Sequence, residues 1–340
     1  MHSRILIIYS GGTIGMAMNY DDNSLYPIDF DNILQHIPEL ALIPAELHVV
    51  EFEQPVDSSD INILHWQKLG RLIEQHYDSF DGFVILHGTD TMAYSASALS
   101  YMLPGLRKPV VFTGSQLPIG ELRTDARENF ISSIYYAALQ RDGVPRIQEV
   151  CLYFEYKLFR ANRCTKINSV QFDAFASPNY ALLGESAIDI LVNERYLLED
   201  SNEDFALHAG FDTSVGLLKL FPGMNENFLL CSLRNAEVRA LVIEAYGSGN
   251  MAKNDRMIDA LVARNEMGLY NIVITQCVGG SVELGKYAAS HGLMKAGAIS
   301  GRDMTTEAAV TKCMFLLGNK DLYPDFRDSF TRSLRGEVSV

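Results

Sequence analysis

Four short stretches carry the side chains that could do chemistry. Ser10-Gly11-Gly12-Thr13-Ile14-Gly15 follows the apolar run Ile5–Tyr9. Paired glycines let a backbone turn tightly and approach a ligand, and Thr13 would stand at that edge with its hydroxyl available. His87-Gly88-Thr89-Asp90-Thr91 follows a second run, Phe83 to Leu86, and places a hydroxyl and a carboxylate at a strand end in the same way. Asp57-Ser58-Ser59-Asp60 could cradle a small zwitterion, with hydroxyls for its carboxylate and a carboxylate for its ammonium. Arg160-Ala161-Asn162-Arg163-Cys164-Thr165-Lys166 adds cations, and Lys166 is a candidate activator because a desolvated lysine can act as a base.

Each stretch has a plainer reading. Glycines end strands without binding anything. Ser, Thr and Asp cap helices, which accounts for at least one polar residue in the second and third clusters. His87 reads as a satisfied structural histidine, the arginine–lysine run as a solvated face, and Cys164 as inert. The glycine spacing is neither GxGxxG nor GxxxxGK[ST], so nucleotide phosphate binding is poorly supported.

The elements that must position these residues are legible as short apolar runs alternating with helical patterns. Phe83–Leu86, Val110–Phe112, Val150–Phe154, Leu241–Ile243 and Ile272–Ile274 are apolar throughout, as parallel strands covered on both faces are. Ile63–His76, Thr91–Leu103, Asn129–Leu139 and Thr306–Leu317 carry apolar residues at helical spacing. The alternation predicts an α/β fold: a larger N-terminal domain with an open, mostly parallel sheet, plus a smaller α/β C-terminal domain. In such sheets ligands bind beyond the carboxyl ends of the strands, where the first two clusters fall.

The chain has 340 residues, a length of roughly two domains. An acidic stretch places a connecting segment at 193–212, between a catalytic domain at 1–192 and a second at 213–340. Net charge is −14 and the pI is near 5.0, which argues against nucleic acid or an anionic membrane as partner. No apolar run reaches the length of a membrane span. Five scattered cysteines without CxxC spacing make a disulfide framework or structural zinc unexpected, and the strand opening at Arg4 predicts a cytoplasmic protein with reduced thiols.

At these same residues the chain resembles the L-asparaginase family, in particular the cytoplasmic type I bacterial enzymes. The family has a Thr-Gly-Gly-Thr-Ile loop and a His-Gly-Thr-Asp-Thr segment. The second is complete at His87–Thr91, and the first has Ser10 for its leading threonine. Thr113–Gln116, Phe172–Asn179 and Tyr246–Asn250 are also type I-like. The resemblance implies hydrolysis of L-asparagine to L-aspartate and ammonia, with no metal or other cofactor. By resemblance, Thr13 is the nucleophile and Thr89, Asp90 and Lys166 form a second constellation. Asp57, Ser58, Ser59 and Asp90 hold the substrate's α-groups. A tyrosine from the loop after the nucleophile joins them, with Tyr26 favoured over Tyr20.

The resemblance further implies a homodimer or homotetramer in which Asn250 of a neighbouring copy completes the site. Some type I enzymes have an effector site containing a threonine, a cysteine and an arginine. Thr165 and Cys277 match the first two, but Glu244 stands at the arginine position, which predicts weak or absent activation. Two other functions compete: a broader glutaminase–asparaginase, and a non-catalytic asparagine sensor on the same scaffold.

Overall fold

The computed structural model describes residues 2–19, 24–27, 37–199, 202–285 and 290–339. Its packing divides into two compact units, Met1–Ala209 and Gly210–Val340. The acidic stretch expected to connect domains is no free linker up to Ala209. Arg160 donates to Tyr196 O, Leu198 N to the Glu149 carboxylate, and His208 N to Met102 O, so these residues pack on the first unit.

The first unit is built on eight strands: β1 (Ser3–Tyr9), β2 (Ala45–Glu51), β3 (Gly82–Leu86), β4 (Val110–Thr113), β5 (Val150–Phe154), β6 (Lys157–Arg160), β7 (Gly184–Ser186) and β8 (Ile190–Val192). Their order is β8-β7-β6-β5-β4-β3-β1-β2. The first five are parallel and the last three antiparallel. Among the parallel strands the order reads 2-1-3-4-5, so the topology reverses between β1 and β3, where doubly wound sheets open a crevice for ligands. Register sharpens this. Tyr9 pairs with both Glu51 and Leu86, and Leu86 with Thr113, so four consecutive strand ends finish level with one another.

Among the described residues the helices α1 (Ile63–His76), α2 (Met92–Met102) and α3 (Ala126–Ala138) accompany this sheet. The Asn62 side chain accepts from Leu64 N while the Asn62 N–H donates to His65 Nδ1, which caps α1 reciprocally. In α2 every residue but Tyr94 is buried, so its serine hydroxyls need partners. Ser95 Oγ accepts from Trp66 Nε1 at 2.9 Å, and Ser100 Oγ donates to Ser97 O and accepts from Asn162 Nδ2. Helix α3 begins three residues before the expected Asn129, because the Thr124 hydroxyl accepts from Ala126 N and supplies a start.

The second unit carries a parallel four-stranded sheet in sequence order, β9 (Val215–Lys219), β10 (Ala240–Ala245), β11 (Tyr270–Thr275) and β12 (Ile299–Ser300). Helices α4 (Glu226–Arg234), α5 (Asp255–Glu266), α6 (Thr306–Gly318) and α7 (Phe326–Thr331) accompany it. Among the described residues no helix is long and apolar enough to cross a membrane.

Candidate functional site

Four segments leave the level strand ends of the first unit: Ser10–Gly15 after β1, Phe52–Asp60 after β2, His87–Thr91 after β3 and Gly114–Leu117 after β4. Glycines let them close on one another. A Cβ on Gly12, at φ 92°, would lie 2.4 Å from Gly88 N, and one on Gly88 2.6 Å from Ser58 Oγ. Neither backbone could approach so closely with a side chain in place. Ser10, which replaces the family's threonine, is buried and donates its hydroxyl to Leu86 O at 2.8 Å, tying the first loop to the end of β3. Val56 N donates to Ser10 O, and Thr91 Oγ1 to Ser58 O at 2.6 Å. Thr13, at the head of a short 3₁₀ turn, is therefore carried on a loop packed against Gly88.

The second constellation is assembled by hydrogen bonds. Lys166 lies in a two-residue ladder, Thr165–Lys166 against Phe175–Ala176, with Lys166 opposite Phe175. Its Nζ donates to Thr89 Oγ1 and to Asp90 Oδ1, each at 2.7 Å. Thr89 Oγ1 in turn donates to Gln116 Oε1 at 3.2 Å, and Gln116 Nε2 donates to Gln171 O. Thr89 and Lys166 are largely shielded, whereas the Asp90 side chain is 66% exposed. An amino group, a hydroxyl and an open carboxylate thus form one hydrogen-bonded chain.

Gln116 was not among the residues expected to act. It belongs to a stretch that resembles the family, and it follows β4 just as His87–Thr91 follows β3, which is the signal that could have found it. Its backbone is anchored by Asp125, whose carboxylate accepts from Gln116 N and Leu117 N. Burial pushes the Asp125 pKa up against those hydrogen bonds.

Asp57 caps its 3₁₀ turn by accepting from Ser59 N and Ser59 Oγ, both at 2.8 Å. Those two hydrogen bonds hold its carboxyl below the usual carboxylate range, so it stays charged. Ser58 is buried; Ser59 and Asp60 are exposed. His87 is buried, with Nδ1 at 2.7 Å from Gly88 O, so Nδ1 carries the proton and donates. Its Nε2 has no hydrogen-bond partner among the described residues. Burial pushes its pKa down to about 4, which keeps the ring neutral.

The arginine–lysine run is not the solvated face expected of it. Arg160 and Arg163 are 4% and 2% exposed. Arg160 Nε meets Glu149 Oε2 at 2.7 Å, and both guanidinium groups lie over the Tyr180 ring. A buried carboxylate and an aromatic face replace water, which residue types alone could not reveal. Cys164 is buried and points its thiol at Ala161 O.

Tyr26 lies in a hairpin, Met16–Asn19 against Ser24–Pro27, opposite Ala17, and its side chain is outside the described ones. Tyr20 lies outside the described residues altogether. Thr165 neighbours Lys166 in the first unit, while Asn250, Glu244 and Cys277 belong to the second. Asn250 closes the turn after β10, exchanging backbone hydrogen bonds with Tyr246 at 2.8 and 2.7 Å. Glu244 accepts from Thr306 Oγ1 at 2.7 Å and pairs with Lys219, its register partner on β9, at 3.3 Å. Cys277 is exposed. Among the described residues no group of three or more His, Cys, Asp or Glu is placed to hold a metal ion.

With the geometry established, comparison with known proteins is informative. Residues 4–197 match the model for Asparaginase, N-terminal, and residues 214–330 that for Glutaminase/Asparaginase C-terminal domain. L-asparaginase 1 of Escherichia coli K12 is 39% identical, covering 98% of each chain. A human 60 kDa lysophospholipase is 37% identical, over 99% of this chain and 61% of its own length. The crystal structure of L-asparaginase I from Vibrio cholerae superposes with a TM-score of 0.88 at 34% identity, covering both chains fully.

Proposed function

The chain belongs to the asparaginase family, and from that membership we propose that it hydrolyses L-asparagine to L-aspartate and ammonia, with Thr13 as nucleophile. The observation that carries the reading is Lys166 Nζ held 2.7 Å from both Thr89 Oγ1 and Asp90 Oδ1 at the switch point of the sheet. An amide is a poor electrophile and a threonine hydroxyl a weak nucleophile, so the reaction needs a proton acceptor and help for the developing oxyanion.

In this reading the Thr13 hydroxyl oxygen adds to the side-chain amide carbon while its proton passes to the Thr89–Lys166–Asp90 relay. The relay returns a proton to the amide nitrogen, the C–N bond breaks and ammonia leaves. Water then cleaves the Thr13 ester, which releases L-aspartate and restores the hydroxyl. Backbone N–H groups of the glycine loop or beside Thr89 serve the oxyanion. The carboxylates of Asp57 and Asp90 suit the substrate's α-ammonium, and Ser58 with Ser59 its α-carboxylate. Tyr26 is the loop tyrosine of this reading.

Ammonia release on adding asparagine tests the function, and Thr13→Val tests the nucleophile. The variant should stay folded and lose nearly all turnover, whereas activity within tenfold of the parent would remove Thr13 from that role. The broader glutaminase reading is favoured only by the joint name of the C-terminal family model. The ratio of rates with asparagine and glutamine separates the two.

Two further parts belong to this proposal. A homodimer or homotetramer, with Asn250 of a neighbouring copy at the site, predicts activity that falls on dilution below the dissociation constant. Activation by asparagine is expected to be weak or absent. Glu244 would repel a carboxylate that an arginine would clamp, and Thr306 and Lys219 already hold it. Strong sigmoidality in the rate curve, lost on substituting Thr165 or Cys277, would overturn that expectation.

A further inference from the structure

Arg264 of α5 is 2% exposed, yet every acceptor around its guanidinium is neutral. Nε donates to Asn271 Oδ1 at 3.0 Å, Nη1 to Leu233 O and Asn235 O at 3.1 Å, and Nη2 to Val238 O at 2.8 Å. Arg160 is buried to a similar degree, but it has the Glu149 carboxylate. Burial pushes the Arg264 pKa down and no carboxylate opposes the shift. A buried cation without a counter-ion is strongly unfavourable. The carbonyls ending α4 supply about half a negative charge, which leaves much of the cation unmet.

The same residue lines a cavity of about 410 Å³ beside α4 and α5, a volume within the range of small-molecule sites. Leu233, Ala260, Ala263, Met267 and Leu269 give it an apolar wall. Arg234 and Arg256 add two more guanidinium groups, and Arg256 pairs with Glu226 outside the lining. Asp259 is the one carboxylate of the lining. With Arg256 paired to Glu226, two cations remain against Asp259; an excess of positive charge over an apolar wall is the chemistry of a site for an amphipathic anion.

We propose that this cavity of the second unit binds a small organic carboxylate, its head group towards Arg234 and Arg264 and its short apolar body on Ala263, Met267 and Leu269. The site is independent of the reaction proposed above, because the residues assigned to that reaction in the first unit take no part in it.

Calorimetric titration of the full-length protein with acetate, butyrate, hexanoate and octanoate, at constant ionic strength, tests this, with inorganic phosphate as a head-group control. Binding should be saturable and tighten with chain length, by up to about fourfold per added methylene. Arg234→Glu, at an exposed position, should weaken octanoate at least tenfold. Ala263→Trp, which fills the cavity, should abolish binding, and both variants should keep the parent's turnover of asparagine. Should the tryptophan variant misfold, the glutamate variant alone decides. Absence of saturable binding by any of the carboxylates would overturn the proposal, as would octanoate binding that survives Arg234→Glu. Phosphate binding as tight as octanoate would show that the apolar wall takes no part and would overturn the assigned ligand class.

Discussion

Two of the molecule's lysine–carboxylate pairs have nearly the same composition and opposite character. In the first unit Lys166 meets Asp90 at 2.7 Å, with the carboxylate 66% exposed and a threonine hydroxyl as the lysine's other partner. In the second unit Lys312 and Glu337 are both fully buried and in direct contact. Lys312 also donates to Phe330 O and Arg332 O, so its three donors are used. Glu337 accepts from Leu334 N and Arg335 N; burial raises its pKa, but Lys312 and these N–H groups outweigh that and hold it below the usual range. The difference lies in what surrounds the charges. A pair closed on all sides fixes the chain near its C-terminus, whereas a pair left open to solvent at the carboxylate can exchange protons with a bound molecule.

Breaking each pair should therefore fail in a different measurement. Lys166→Met should lower kcat by about 10²–10⁴-fold, the usual worth of a positioned proton-transfer group, and leave the thermal midpoint within a few degrees. If kcat holds and only KM rises, Lys166 is a substrate clamp. Lys312→Met should do the reverse. It strands a buried carboxylate and should cost about 3–5 kcal/mol of stability in denaturant titration, with turnover per folded molecule unchanged. Lys312→Met combined with Glu337→Leu should recover much of that loss, because no unpaired charge remains. A double variant no better than the single one would mean that packing, not charge, is what Lys312 contributes.

Two smaller effects sharpen the contrast. His87 ordinarily titrates near 6.5 but is held to about 4 in the folded chain. The unfolded chain therefore binds the extra proton first, so stability should fall as pH drops from about 6.5 to about 4 and level off below. The full effect is about 3 kcal/mol. His87→Phe should flatten that part of the profile; an unchanged slope would place the titration elsewhere. Glu337 adds a second loss at more acid pH: its stabilisation is complete above its unfolded pKa and disappears as the pH falls through the lower folded one. Gln116→Leu removes one neutral acceptor from Thr89 and should cost about tenfold in kcat or less, in line with a single hydrogen bond of about 1 kcal/mol. Turnover equal to the parent's would show that Thr89 needs no such acceptor.

Much of this was legible in the residues themselves. The five apolar runs from Phe83–Leu86 to Ile272–Ile274 are strands, and the two glycine–hydroxyl clusters sit at strand ends because glycine must follow where a covered strand stops and turns. Ser10, Gly12 and Gly88 were visible as types, and their spacing after Tyr9 and Leu86 set their level in the sheet. Local patterns also put helices at Ile63–His76 and Thr306–Leu317, and the helices observed are Ile63–His76 and Thr306–Gly318.

What the residues could not determine is whatever depends on partners distant in sequence. Lys166 meets Asp90 across 76 positions, and only the ladder opposite Phe175 delivers it. Arg160 and Arg163 read as solvated until Glu149 and the Tyr180 ring are folded over them. Lys312 and Glu337 carry no sign in the sequence of being buried together, nor does Arg264 of lacking a counter-charge. Periodicity and turn chemistry are local and survive in a one-dimensional string. Burial and charge pairing are properties of the neighbourhood that tertiary packing creates, and these decide which of two identical side chains is structural and which is free to react.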